Sequence, residues 1–180
     1  FCMRPHRQVR RRRTSSAVLV VQAVWEGMTE DAAATQTVGE RLAAVLAPGQ
    51  VIALRGEPGA GKTTFVQGLA RGLGVRGRVS SPTFVLVNEH AAAHGRRLIH
   101  IDTYRLGAHA LEEADAIGLE ELLADPGAVI AIEWAERVAD LLPEDYLLLE
   151  LRYGSRPDQR LLRLTAFGPR SAAALEKMSG

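Results

Sequence analysis

The chain has 180 residues, 22 Lys+Arg against 21 Asp+Glu for a net charge of +1, and a hydrophobic share of 47%, enough for one domain with a sizeable core. Its one cysteine, Cys2, excludes an internal disulfide and a cysteine-based metal cage, and no apolar run approaches the roughly 18 residues that span a membrane. Six arginines fall in residues 1–13, which hold no acid, so residues 14–180 carry −5 and lack the basic balance of a strong nucleic-acid binder.

Residues 1–16 read as an Arg-rich disordered tail and residues 17–180 as a single domain. The arginines followed by "TSSAVLVVQAVW" (14–25) faintly resemble an export signal. The apolar part is short, interrupted by Gln22, and lacks an A-x-A cleavage site. "AVLVVQAV" (17–24) instead predicts a first strand. "TEDAAATQTVGERLAAVLAPG" (29–49) predicts a helix, with Thr29 or Asp31 as its cap and Pro48-Gly49 as its stop. "QVIALRG" (50–56) is a continuous apolar run, as expected of a buried parallel strand, and "KTTFVQGLARGLG" (62–74) a helix ending in glycine. Strands are expected at 83–90, 97–102 and 127–134, two short helices around 111–124, and a helical turn or two at 135–143. "YLLLELRYG" and "RLLRLTAFG" flank "SRPDQ" as a hairpin, and a short helix closes the chain. This order predicts a three-layer α/β fold with a central sheet that is mainly parallel.

Between strand 50–55 and helix 62–74 lies "GEPGAGKTTF", the Walker A pattern in the strand–loop–helix setting it requires. Residues Gly56, Glu57, Pro58, Gly59, Ala60 and Gly61 let successive backbone N–H groups face one point, where the positive end of the following helix adds to them. Only Lys62 and Lys177 are lysines, so an ammonium at position 62 stands out against the arginines. A compact charge reaches between outer phosphates where a planar guanidinium fits poorly. Thr63 offers a hydroxyl to Mg²⁺, and Thr64 one to an inner phosphate. The guanine-reading N/T-K-x-D pattern is absent, so the expected nucleotide is ATP rather than GTP.

Two acids end apolar strands, Asp102 in "LIHID" and Glu133 in "AVIAIE". Both belong at the C-terminal edge of the sheet, where ligands of such folds bind, and on chemistry alone either serves as the magnesium-associated acid. Further candidates are the "SSPTF" loop (80–84), whose Ser81 or Thr83 is placed to sense a γ-phosphate, Arg105 for developing charge, and His100. His100 shares a strand face with Asp102 and reads first as a packed histidine. Trp134 reads as core or interface.

"GEPGAGKTTF", "SPTFVLVNEH", "HIDTYRL" and "IEWAERV", in this order, resemble the TsaE (YjeE) family of small bacterial P-loop ATPases over roughly residues 17–165. The resemblance implies a three-layer α/β fold of P-loop NTPase type, its mainly parallel central sheet closed by antiparallel strands at the C-terminal end, and a cytoplasmic, Mg²⁺-dependent ATPase required for N6-threonylcarbamoyladenosine at adenosine 37 of tRNA. It implies a TsaB–TsaD-like heterodimer as partner, with tRNA met only through that assembly. Carried over, Lys62, Thr63, Thr64 and Thr83 serve the nucleotide, Thr63 and Glu133 the metal, and Lys62, Asp102 and Glu133 catalysis. The competing readings are a small-molecule kinase and a non-catalytic nucleotide-gated module.

Overall fold

The computed structural model describes residues 20–82, 86–107 and 109–180. Its strands are β1 (Val21–Thr29), β2 (Val51–Arg55), β3 (Val87–Ala91), β4 (Arg97–Asp102), β5 (Ala128–Glu133), β6 (Tyr146–Tyr153) and β7 (Arg160–Phe167). Its helices are α1 (Ala32–Val45), α2 (Lys62–Leu73), α3 (Ala110–Ala116), α4 (Leu119–Leu123) and α5 (Pro169–Ser179). The expected tail, residues 1–16, lies outside the described residues, as does the start of the first predicted strand.

One sheet runs β1-β7-β6-β2-β5-β4-β3. The central strands β6, β2, β5 and β4 are parallel. Both flanks are antiparallel: the β6–β7 hairpin continued by β1 on one side, and β3 on the other. The sequence pointed to antiparallel strands only at the C-terminal end. β3 reverses direction because the connection Ala92–Arg96 to β4 is too short for a parallel crossover.

Side-chain alternation splits the core in two. On one face Ile52, Leu54, Val129, Ala131, Leu147 and Leu149 pack against α1, α2 and α5 through Leu42, Phe65, Leu69 and Leu175. On the other, Val51, Ala53, Ile99, Ile101, Ile130 and Ile132 pack against α3, α4 and the 3₁₀ turn Ala135–Leu141. The sheet therefore lies between two helical layers. Full burial of a side chain such as Phe65 contributes about 1.5–3 kcal/mol.

Local chemistry accounts for the boundaries near the loop. Asp31 caps α1 by accepting from the Ala34 N–H at 2.7 Å, while Thr29 ends β1 and bonds Thr35 at 2.8 Å. Gly74, at φ +79°, closes α2 in the left-handed conformation open to glycine. Of the strand expected at 83–90, residues 83–85 lie outside the described residues, Leu86 takes φ +68°, and β3 runs from Val87 to Ala91. Among the described residues no helix is long and apolar enough to cross a membrane.

Candidate active site

The site lies where β2, β4 and β5 end together. β2 feeds the loop of residues 56–61, and α2 starts at Lys62. Gly61, at φ +103°, is the N-terminal cap of α2 and offers no side-chain oxygen, so no side chain competes for the helix's first N–H groups. Gly56 answers a close approach: a Cβ there would stand 2.6 Å from the Leu151 carbonyl oxygen.

Lys62 is 4% exposed, and its Nζ donates to the carbonyls of Gly56 (2.6 Å) and Glu57 (3.0 Å). The ammonium also lies 3.7 Å from the centre of the Trp134 ring, a cation–π contact. Burial holds its pKa below the ordinary 10.5, while Glu133, then Glu136 and Asp102, pull it back up.

Asp102 and Glu133 are register partners on neighbouring parallel strands, and both face α2 with Leu98, His100, Val129 and Ala131. Their contacts separate them. The Thr63 hydroxyl lies 2.8 and 3.0 Å from the two Glu133 carboxylate oxygens and donates to them. His100 Nε2 lies 2.8 Å from Glu133 Oε1; an ionised carboxylate only accepts, which puts the imidazole hydrogen on Nε2. Asp102 accepts from the Ser81 hydroxyl (2.5 Å) and the Tyr104 N–H (2.9 Å). So Thr63, on the first turn of α2, meets Glu133, and the Ser80–Pro82 segment meets Asp102. Thr64 is the third residue of α2, half-buried. Arg105 is exposed, three residues past Asp102. Thr83, expected beside the nucleotide, lies outside the described residues.

Two features escaped the sequence reading. Trp134, expected in core or interface, caps the lysine. It takes φ +59°, and the Thr103 hydroxyl holds the turn by donating to the carbonyls of Glu133 (2.9 Å) and Trp134 (2.8 Å). Tyr104 packs on it with ring centres 4.9 Å apart. The signal was its place directly after a strand-end acid at the loop edge of the sheet. The second feature is the end of the β6–β7 hairpin, where Tyr153 and Arg160 reach the loop carbonyls from about 100 residues away. Nothing in the local sequence marks them.

Among the described residues no group of three or more His, Cys, Asp or Glu is arranged to hold a metal by itself. Thr63 and Glu133 supply hard oxygens at one point, which fits Mg²⁺, an ion that takes one or two protein ligands and completes its shell with water and phosphate.

A mainly parallel sheet with this loop between β2 and α2 defines the P-loop class of α/β proteins. The family model "Threonylcarbamoyl adenosine biosynthesis protein TsaE" matches residues 29–161. The tRNA threonylcarbamoyladenosine biosynthesis protein TsaE of Streptomyces coelicolor is 43% identical over 140 residues, 76% of this chain and 93% of that one. Its counterpart in Bacillus subtilis is 35% identical over 145 residues, 81% and 87% of the two chains. The crystal structure of Bacillus subtilis YdiB matches with a TM-score of 0.74 at 30% identity, covering 89% of this chain and 96% of that one. The chain belongs to the TsaE family, and its role lies in the biosynthesis of threonylcarbamoyladenosine in tRNA.

Proposed function

We propose that this chain binds ATP with Mg²⁺ and hydrolyses it in the cytoplasm, docked on a TsaB–TsaD-like heterodimer, in support of threonylcarbamoyladenosine formation at adenosine 37 of tRNA. The observation that carries the proposal is the Thr63–Glu133 hydrogen bond beside the buried Lys62 ammonium. A hydroxyl, a carboxylate and a compact cation meet at the N-terminus of α2, the set that a nucleotide's outer phosphates and their metal require.

In this reading Lys62 exchanges the Gly56 and Glu57 carbonyls for phosphate oxygens, and the Trp134 face keeps the ammonium from straying into solvent. The backbone of Gly56, Glu57, Pro58, Gly59, Ala60 and Gly61 wraps the phosphates, with Thr64 at an inner one and Thr83 toward the γ-phosphate. Thr63 and Glu133 would hold Mg²⁺, which when bound draws off charge developing between the outer phosphates. His100 fixes the Glu133 carboxylate through its hydrogen bond. Asp102, on the same sheet face, orients the attacking water and ties Ser81 to the site.

The test is phosphate release from MgATP, alone and with the two partner proteins, in wild type, Glu133→Gln and Asp102→Asn. Glu133→Gln is expected to keep nucleotide affinity, raise the Mg²⁺ requirement and lower turnover by about a hundredfold, the scale for a lost electrostatic group in a phosphate site. Asp102→Asn should lower turnover with a smaller change in metal requirement; the reverse order would exchange the two roles. Transfer of phosphate to a small acceptor instead of water would replace the ATPase with a kinase. Wild-type release in Glu133→Gln would remove the basis of the proposal.

A further inference from the structure

The hairpin end that sequence alone did not connect to the loop makes a set of contacts that the nucleotide reading leaves unused. Tyr153, the last residue of β6, donates its hydroxyl to the Pro58 carbonyl at 2.6 Å. Arg160, the first residue of β7, donates from Nε to the Ala60 carbonyl at 3.1 Å and from Nη2 to the Gly59 carbonyl at 3.3 Å. Its guanidinium lies 4.5 Å from the centre of the Tyr153 ring, and its Nη1 donates to its own hairpin at Pro157 (2.7 Å) and Gln159 (2.9 Å). Three consecutive loop carbonyls are thus held by two side chains that are themselves fixed.

We infer that Tyr153 and Arg160 are positioning residues for the phosphate loop: they set the direction of its N–H groups by gripping the opposite ends of the same peptide units. A trans peptide is planar, so its C=O and N–H point opposite ways, and the described residues contain no cis bond. Gripping the carbonyls of Pro58, Gly59 and Ala60 therefore aims the N–H groups of Gly59, Ala60 and Gly61. Ala60 N–H turns inward to the Glu57 carbonyl at 3.1 Å. Those of Gly59 and Gly61 are set with it.

The grip matters because of the residues gripped. Gly59 (φ +75°) and Gly61 (φ +103°) occupy backbone conformations that glycine enters freely and leaves as freely. A loop of this composition holds its shape only if something outside it does the holding. The fit is close: a Cβ on Gly59 would stand 2.8 Å from the Tyr153 hydroxyl. The arrangement follows from topology, since β6 pairs in parallel with β2 and both strands end beside the loop. Arg160 does not touch the Thr63–Glu133 pair, so its effect on a phosphate passes through the backbone.

The inference deepens the nucleotide-binding reading and rests on it for its purpose. The experiment has one arm that does not. Amide hydrogen exchange by NMR on nucleotide-free wild type, Tyr153→Phe, Arg160→Lys and Arg160→Gln reports the loop directly. Exchange at Ala60, whose N–H is bonded to the Glu57 carbonyl, is expected to rise about fivefold in Tyr153→Phe and about twentyfold in Arg160→Gln, with α1 unchanged, the scale of one neutral and one charge-assisted hydrogen bond, since the second arginine bond is exposed and long at 3.3 Å. Arg160→Lys, which keeps a single donor head, should recover part of the protection. In parallel, MgATP and MgADP affinities should fall by similar factors while the melting temperature without nucleotide hardly moves. A merely structural role would lower the melting temperature and leave the affinity of the folded molecules intact, and that result overturns the inference. So does unchanged exchange in folded Arg160→Gln. A wild type that binds no MgATP would end the nucleotide reading, while the exchange data would still decide the grip.

Discussion

At the residue scale Lys62 concentrates the chemistry. It is 4% exposed, bonded to two carbonyls and covered by an indole, with three carboxylates in reach of its field. Charge-assisted hydrogen bonds to phosphate are worth about 1.5–3 kcal/mol each, so Lys62→Ala is expected to weaken ATP binding by at least about tenfold. Lys62→Arg should bind poorly as well, because a planar fork cannot take the place of a compact head beneath Trp134. Calorimetric titration with ATP checks both, and wild-type affinity in the arginine variant would count against the ammonium's role. The same burial has a pH signature. Desolvation lowers the folded-state pKa below 10.5, so just below that value the unfolded chain binds more protons than the folded one. Stability then rises with pH across the interval between the lowered pKa and 10.5. Below the interval the full cost of the buried charge is present. The unfolding free energy of wild type minus that of Lys62→Met, followed by urea denaturation at alkaline pH, should climb through this interval. A flat difference would show that the charge is buried without cost.

At the element scale the meeting of α1 and α2 positions the site, because α2 carries Lys62 and Thr63 on its first turn. The two helices touch through glycines. A Cβ on Gly68 would stand 1.9 Å from the Gln36 carbonyl oxygen, and one on Gly39 would stand 2.4 Å from that of Phe65. Gly68→Ala gains up to about 1 kcal/mol of helix propensity but forces two backbones apart, and overpacking of this kind typically costs about 1–3 kcal/mol. Net destabilisation is expected, read as a lower urea midpoint, together with weaker ATP binding as the first turn of α2 shifts. A stabilised Gly68→Ala would mean that the helices separate freely. This pair also marks where sequence stops being legible. α1, α2, β2, β4, β5 and the β6–β7 hairpin follow from periodicity and punctuation, and the loop from its spacing. That Gly39 and Gly68 are contact surfaces requires knowing which helix lies opposite. Likewise Asp102 and Glu133 were equal by pattern, and only pairing of β4 with β5 beside α2 sets one against Thr63 and the other against Ser81. Trp134 and the Tyr153–Arg160 grip are tertiary in the same sense.

At the scale of the whole molecule the question is how a small chain serves chemistry on a tRNA base. Residues 14–180 carry −5, a poor balance for holding a polyanion directly. The groups gathered at the sheet edge suit phosphate and metal: an ammonium, a threonine hydroxyl and strand-end carboxylates. Joining threonine and carbonate to adenosine belongs, on this reading, to the partner proteins. A nucleotide can change docking only if the surface met by the partner differs between its bound states. The group best placed to differ is the Ser81–Asp102 pair. Asp102 is the register neighbour of Glu133, which meets Thr63, so a change at the phosphates lies one strand away from the Ser80–Pro82 segment. Weak phosphate release is therefore expected from the isolated chain, and docking onto a TsaB–TsaD-like heterodimer should be favoured by ATP over ADP. Co-elution of the purified proteins with ATP, with ADP and without nucleotide measures the second point. Ser81→Ala should narrow the ATP–ADP difference while leaving ATP affinity largely intact, which separates signalling from binding. Docking that ignores nucleotide, or submicromolar tRNA binding by a chain lacking residues 1–13, would assign the molecule a different part in the modification.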